Sequence, residues 1–344
     1  YSTGTCKEGS HYLKVALNNL TTNTAIAIAH GPRNTGAATR IGLAGIQLVR
    51  RDSAADTSDP FYLRTVTGTT NWSDSVWQNA GVTTNWADST EARKTTAVLT
   101  TSGTTSMPLP AEGVTAEAVA VRGSGPFTLS GPGALTLNGS SILDASGMNA
   151  TDIVVVSSSV LGTNITLSAN NPDAASSGYT ALSAAGSDFT SLSVTRGTLL
   201  GNATLPAAAG IVLNGGSLVF TDSAMFANAL DIAGAARIRV RPTFTAELTH
   251  AITGSNSITK SDNGTLTLSG GGTFGYLGFA DSGLVRLTGS APFAIAGTAG
   301  SSAATTLEVD APVNMSTLFS LGGATFSLTD NGVITTPSLR WCDT

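Results

Sequence analysis

A short glycine-led repeat recurs through the C-terminal two-thirds of the chain and limits the choice of fold more than any other feature. Its fullest form is Gly264-Thr-Leu-Thr-Leu, and looser copies begin at Gly133, Gly197, Gly216 and Gly283. The steps from 197 to 216 and from 264 to 283 are both 19 residues, and the 48 residues from 216 to 264 fit two turns of 24. Fixed periods near 20 residues are typical of solenoids, in which each repeat forms one rung of a stack.

The repeat predicts strands, because large apolar and small polar residues alternate within each copy. In the fullest copy, Leu266 and Leu268 are predicted to point inward, and Thr265 and Thr267 to face water. The Ser-Asp-Asn-Gly stretch at 261–264 predicts a turn before that strand. No stretch keeps an apolar stripe at helical spacing for three turns. We therefore predict an all-β fold, best interpreted as a parallel β-helix. A β-sandwich is the structural alternative, since it also gives short strands every 8–12 residues.

Composition and charge favour an extracellular protein. Charged residues make up 11% of the chain, against roughly 25% in typical soluble domains, while the 41% of hydrophobic residues suffice for a core. The net charge of −5 leaves no basic surface for nucleic acid, and apolar runs such as 25–29 are too short to span a bilayer. Because the chain begins at Tyr1 rather than Met, we expect that a leader was removed.

The two cysteines, Cys6 and Cys342, lie near opposite ends of the chain. Two thiols in an extracellular protein are expected to pair. About ten rungs at a strand spacing of roughly 4.8 Å make a solenoid about 50 Å long, whereas a disulfide needs Cα atoms within about 7 Å. Three arrangements stay open: an intrachain bond made by a terminal segment that folds back, an intermolecular bond between the tail of one subunit and the head of the next, and free thiols.

The chain divides into three regions by pattern. Residues 1–68 lack the repeat and are interpreted as a small antiparallel β-domain that caps the solenoid or serves assembly. Its predicted strands are 12–17, 25–29, 41–48 and 61–66. Residues 69–110 form a tryptophan-rich junction, and residues 111–344 carry the β-helix repeats. The junction contains Trp72, Trp77 and Trp86, which are interpreted as a buried packing plug or, alternatively, as a platform for stacking carbohydrate.

Two stretches resemble a known family. Residues 69–140 resemble the opening of proteins that carry the autotransporter-associated β-strand repeat, and residues 228–289 look like the repeat itself. The match is closest at Ile258-Thr-Lys260 and at Gly264-Thr-Leu-Thr-Leu-Ser-Gly270. The resemblance implies a right-handed parallel β-helix that is displayed on, or released from, a bacterial surface. It indicates a fold far more than an activity.

Candidate binding residues are few. Arg237, Arg239 and Arg241 alternate along one predicted strand, with Ile238 and Val240 buried on the opposite face. A basic stripe of this kind is interpreted as a solvated face or, alternatively, as a contact for acidic glycans or for a protein interface.

Chemistry-bearing patterns are also scarce. The three histidines, His11, His30 and His250, lack the spacing of metal ligands, so neither a metal nor a cofactor is predicted. Polysaccharide cleavage would need carboxylates near a basic group on neighbouring rungs. Beside the arginines, its candidates are Asp231, Lys260 and Asp262.

Three functions are compatible with these patterns. The first is a structural, non-enzymatic surface protein, a filament or sheath subunit that forms a homopolymer by head-to-tail association, with or without a disulfide link. The second is an adhesin or passenger domain that binds glycans or host proteins through the three arginines and the tryptophans. The third is a polysaccharide lyase or hydrolase. For all three functions, we predict neither a nucleic-acid partner nor a segment that spans a membrane.

Overall fold

The structure, a computed structural model, describes residues 61–342 except 75, 80, 81, 92, 171–176, 300–304, 323 and 324. These residues form 31 strands and no helix. All of them belong to one compact unit. The strands predicted at 12–17, 25–29 and 41–48 lie outside the described residues, and so do Cys6, His11 and His30.

The strands are short and follow one another closely along the chain. From residue 61 to residue 168 they are β1 (Phe61–Val66), β2 (Trp77–Asn79), β3 (Val82–Thr84), β4 (Thr96–Thr101), β5 (Thr105–Pro108), β6 (Val114–Gly123), β7 (Phe127–Ser130), β8 (Leu135–Met148), β9 (Ile153–Val156), β10 (Val160–Leu161) and β11 (Asn164–Ser168). From residue 179 to residue 254 they are β12 (Tyr179–Leu182), β13 (Ser191–Arg196), β14 (Thr198–Leu200), β15 (Gly210–Leu213), β16 (Ser217–Phe220), β17 (Ala224–Phe226), β18 (Leu230–Ile232), β19 (Ala236–Val240), β20 (Thr245–Leu248) and β21 (Ile252–Gly254). From residue 258 to residue 342 they are β22 (Ile258–Ser261), β23 (Thr265–Leu268), β24 (Gly272–Phe279), β25 (Gly283–Thr288), β26 (Phe293–Ala299), β27 (Thr305–Asp310), β28 (Pro312–Gly322), β29 (Thr325–Leu328), β30 (Val333–Thr335) and β31 (Leu339–Cys342).

Strands from successive turns of the chain pair in three ladders. Ladder A has the order β3-β2-β1-β4-β6-β8-β11-β13-β15-β18-β21-β24-β26-β28-β30. Ladder B has the order β5-β7-β9-β12-β14-β16-β19-β22-β24-β26-β28-β31. Ladder C has two stretches, β6-β8-β10 and β17-β20-β23-β25-β27-β29.

Nearly all of these pairings are parallel, because each turn of the chain returns to the same face before it advances to the next rung. Stacked parallel strands form a β-solenoid of about ten turns, which confirms the predicted fold class. The antiparallel pairs β1–β2 and β2–β3 form a small antiparallel region near the N-terminus. Strand β1, which was predicted to belong to the N-terminal domain, also pairs in parallel with β4 and so forms part of the solenoid.

The core consists of side-chain columns inside the coil. Leu266 and Leu268 are buried, while Thr265 and Thr267 are only half-buried, so the alternation predicted for the fullest repeat is confirmed. Leu268 stacks between Leu248 of the preceding rung and Leu287 of the next. Each rung therefore buries its apolar face only against its neighbours, as is typical of solenoids.

The predicted repeat period is right for the short steps and wrong for the long one. Thr198 pairs with Ser217, and Thr265 pairs with Leu284, so both 19-residue steps are single turns. The 48-residue step is not two turns of 24, because β16 lies in ladder B and β23 in ladder C. The same glycine-led pattern suits a strand on either face, since both faces need a turn followed by inward-pointing apolar residues.

Some positions need glycine both because the backbone φ is positive and because a neighbouring rung leaves no room for a Cβ atom. Gly123, at the end of β6, has φ +114°, and a Cβ atom added there would lie 2.1 Å from the carbonyl oxygen of Thr101 on the rung before. We expect Gly123→Ala to lower the free energy of unfolding by about 2 kcal/mol or more, because both the backbone and the rung spacing must adjust. Gly210→Ala is the control, since open space surrounds Gly210, and its expected change is within about 1 kcal/mol. Chemical denaturation of both variants compares them. Equal stability of the two variants would contradict the prediction.

Candidate functional site

An aromatic cap, formed by Tyr62, Trp72, Trp77 and Trp86, lies at the N-terminal end of the described part of the solenoid. The ring centroid of Trp77 lies 4.9 Å from the ring centroid of Trp72 and 5.1 Å from that of Trp86. The Trp77 indole N–H donates a hydrogen bond to the carbonyl oxygen of Trp72, at 2.9 Å. Tilted and edge-to-face arrangements at these distances are favourable beyond the area that they bury.

A buried arginine completes this cap. Arg64 points inward from β1, and its guanidinium lies 5.2 Å from the Trp77 ring centroid, within the range of a cation–π contact. Nη2 donates to the carboxylate of Asp74 at 3.1 Å, and Nη1 donates to the carbonyl oxygen of Trp72 at 3.1 Å. Burial lowers the pKa of Arg64, and the Asp74 charge opposes that shift. The guanidinium thus satisfies backbone and side-chain oxygens at the end of the coil.

The cap matches the packing interpretation of the tryptophans. Trp72 and Trp77 are buried, which removes both as surfaces for stacking carbohydrate. Trp86 is half-buried, and its indole N–H donates to the carboxylate of Asp88 at 2.8 Å. The burial of Arg64 could not be predicted from the FYLRTV strand alone, because an arginine in a strand is usually assigned to the solvent face.

The predicted arginine stripe is only partly exposed. Ile238 and Val240 are buried as predicted, and Arg237 and Arg241 are half-buried. Arg239 is only 2% exposed, so its expected place on a solvated face is wrong. The reason is that the outward column of ladder B is covered here: the register partners of Arg239, Val219 and Ser261, are buried as well. Alternation separates the inside of a coil from its outside, but it does not reveal whether the outside is covered.

A charge cluster, formed by Arg239, Arg241, Lys260, Asp262 and Asp281, lies where ladder B turns toward ladder C. The Asp262 carboxylate is 3.4 Å from Nη2 of Arg239 and 3.7 Å from Nε of Arg241. The backbone N–H of Asp262 donates to the Asp281 carboxylate at 2.9 Å. Asp262 adopts φ +60°, a left-handed conformation that Asp tolerates better than most residues. It is therefore both the turn residue and the centre of the cluster.

Lys260 is the most unusual member, because it points into the coil. It is 0% exposed and occupies the inward column between Ile238 and Phe279. Its ammonium group donates to the carbonyl oxygens of Asp262 and of Ser282, the latter at 2.7 Å. Burial lowers the pKa of Lys260 to about 8, and the charges of Asp262 and Asp281 oppose this shift.

Through these hydrogen bonds, the Lys260 ammonium group links two successive turns of the solenoid. A Cβ atom added at Gly283 would lie 2.5 Å from the ammonium nitrogen, so the glycine of the next repeat leaves room for it. Of the other residues considered for polysaccharide cleavage, Asp231 lies on ladder A and accepts a hydrogen bond from Thr253 at 3.1 Å. The structure brings Lys260, Asp262 and two arginines together and leaves Asp231 on another face.

The described part of the chain contains no group of three or more His, Cys, Asp or Glu residues that could hold a metal ion. None of its elements is a helix of the length and apolarity that a membrane crossing requires. His250 is exposed.

The two ends of the solenoid differ from its middle. Among the residues that the structure describes, seven large apolar side chains are exposed, and all but Met225 lie near an end: Phe61, Leu63, Val76 and Val82 at the N-terminal end, and Leu328 and Val333 at the C-terminal end. Scattered exposed apolar residues are normal, but clusters of them mark interaction surfaces.

The C-terminal rung, formed by β29, β30 and β31, pairs on one side only among the described residues. In the described ranges, β29 pairs with β27, and β30 and β31 both pair with β28. Phe326 and Ile334 point inward but are only half-buried, whereas their register partners one rung earlier, Leu307 and Val313, are fully buried. Cys342 lies in β31, and its predicted pairing with Cys6 involves a residue outside the described ones.

Comparisons with protein-family models, with characterised proteins and with solved structures find no match to this chain. The resemblance to the autotransporter-associated β-strand repeat stays a prediction.

Proposed function

We propose that this chain is a structural, self-assembling surface protein whose subunits associate head to tail through the ends of the solenoid. The observation that carries the proposal is the position of the exposed apolar residues at both ends, together with the one-sided pairing of the C-terminal rung. An extracellular location on a bacterium rests on the low charge and on the repeat resemblance.

Unpaired strand edges favour association, because their N–H and C=O groups can extend the ladder into another chain. The two ends present different surfaces: the N-terminal end carries the aromatic cap and a hairpin, and the C-terminal end carries a rung that pairs on one side only among the described residues. A contact between unlike surfaces that does not close gives a fibre. The half-buried Phe326 and Ile334 would gain burial in such a contact, at about 25 cal/mol per Å² of apolar surface removed from water.

The alternatives have weaker support. Of the residues suggested for adhesion, Trp72, Trp77 and Arg239 are buried, so a glycan could reach only the others without rearrangement. A lyase or hydrolase needs an accessible base near the substrate, whereas Lys260 is enclosed and bonded to carbonyl oxygens.

Charge placed on the C-terminal rung tests the proposal. We expect the wild-type chain to form large species with rising concentration in sedimentation velocity, and the double variant Leu328→Lys/Val333→Lys to remain monomeric, because a desolvated lysine opposes docking. Met225→Lys is the matched control, since Met225 is exposed but distant from both ends in sequence, and it should assemble like the wild type.

Folding of each variant is checked by circular dichroism. Val333→Lys alone keeps the test decisive if the double variant unfolds, because Val333 is 58% exposed on an outward position. A wild-type chain that is monomeric at all concentrations, or an equal loss of assembly in Met225→Lys, contradicts the proposal.

A further inference from the structure

Ladder A is one uninterrupted sheet that reaches both ends of the described solenoid. Its first strand is β3, at the tip of the N-terminal hairpin, and its last strand is β30, in the C-terminal rung. Among the described strands, β3 pairs only with β2, and β30 pairs only with β28. Within the described residues, the outer side of each edge strand therefore has no paired strand, and each of the two strands is three residues long.

The two edge strands run in the same direction. Strand β2 is antiparallel to β1, and β3 is antiparallel to β2, so two reversals restore the direction of β1 in β3. From β1 to β30, every pairing in ladder A is parallel. A second copy that is moved along the solenoid axis without inversion therefore presents its β3 parallel to β30 of the first.

The side-chain pattern of the two strands favours one register for this contact. Thr83 lies on the outward side, since its hydroxyl accepts a hydrogen bond from the side chain of Gln78, the register partner of outward-facing Leu63. Val82 therefore lies on the inward side, where it is 67% exposed. In β30, Ile334 points inward, and Thr335 points outward. Pairing Val82 with Ile334 continues the apolar column and places Thr83 beside Thr335.

We infer that β30 of one copy pairs in parallel with β3 of the next copy, so that ladder A continues from subunit to subunit. The inference rests on the proposed head-to-tail assembly and identifies the strands that form it. The hairpin has a clear role in this contact: β2 covers the outer edge of β1, and β3 offers a new edge of the same direction. Two β30 edges could instead meet tail to tail, but that contact would be antiparallel, symmetric and closed.

Mixed crosslinking of single-cysteine variants distinguishes these contacts. One variant carries Thr83→Cys and the other Thr335→Cys, both with Cys6→Ser and Cys342→Ser so that the native thiols do not react. Directly opposite residues have Cβ atoms about 4.5–5.5 Å apart, within reach of a short bifunctional thiol reagent. We expect a crosslinked dimer in the mixture and none with either variant alone. Thr245→Cys, exposed on ladder C, replaces Thr335→Cys as the control and should give no dimer.

Each other outcome has one meaning. A dimer from Thr335→Cys alone indicates tail-to-tail pairing and overturns the inference. Assembly in sedimentation without a crosslink in the mixture also overturns it, but leaves the proposed function standing. Absence of assembly in every variant and in the wild type overturns both.

Discussion

Replacing Trp77 with alanine is expected to lower the free energy of unfolding by about 3–5 kcal/mol, the usual cost of removing a fully buried large aromatic side chain. Trp77 contacts three other aromatic rings and the Arg64 guanidinium, so the substitution leaves a cavity in the cap and removes the aromatic partner of a buried charge. Denaturation followed by circular dichroism measures the loss without relying on tryptophan fluorescence.

The location of the damage is also predicted. Because solenoid rungs contact only their neighbours, amide hydrogen exchange in β1 and β4 should accelerate more than exchange in β25 and β27. Trp86→Ala is the matched control, since Trp86 shares the cluster but is half-buried, and a smaller loss is expected. A Trp77→Ala change of less than about 1 kcal/mol, with uniform exchange along the ladder, would show that the cap is not what holds the N-terminal rungs.

Lys260 is expected to give the wild-type protein a pH dependence that Lys260→Met lacks. Burial lowers the pKa of Lys260 from 10.5 to about 8, so between pH 8 and 10.5 the unfolded chain binds more protons at this residue than the folded chain. Linkage then requires the stability of the folded state to rise with pH across this window. Below pH 8 the buried ammonium charge lowers the stability of the folded state, and above pH 10.5 Lys260 is neutral in both states, so this penalty is absent.

The expected rise over the whole window is about 3 kcal/mol, from 1.36 kcal/mol for each pH unit between the two pKa values. Urea unfolding of both proteins at pH 7, 8, 9 and 10 measures the difference between them, so that other titrating groups cancel. Methionine has a similar length and no charge, but it leaves the carbonyl oxygens of Asp262 and Ser282 without the ammonium donor. A difference that is constant with pH, or that falls as pH rises, would contradict the burial of a charged lysine.

The repeating part of the fold could be predicted from the sequence, because its physics is local. Alternation in Thr265–Leu268 and glycine-led turns at 19-residue steps lead directly to stacked strands. The 48-residue step gave a wrong prediction of two equal turns, because the glycine-led pattern occurs on two faces of the coil. The spacing between two copies does not show which face each copy occupies.

The charged residues could not be placed from the sequence for a different reason. In FYLRTV, hydrophobicity favours Phe61 and Leu63 as the inward residues, yet they are exposed, and Tyr62, Arg64 and Val66 are buried. The three tryptophans of the aromatic cap and Asp74 make this choice favourable, and all four residues follow β1 in the chain. Lys260 likewise depends on the carbonyl oxygen of Ser282, one turn later. Each of these contacts is made to a residue outside the strand, so no pattern within the strand predicts that the charged side chain is buried.

Electron cryomicroscopy of the purified chain at increasing concentration tests the head-to-tail assembly most directly. If β3 joins β30, the fifteen strands from β3 to β30 repeat once per subunit, and a strand spacing of about 4.8 Å gives an axial repeat of about 70 Å. We predict unbranched filaments with this repeat and with strands perpendicular to the filament axis. Particles that remain monomeric at every concentration, or filaments in which the solenoids lie side by side, would contradict end-to-end association.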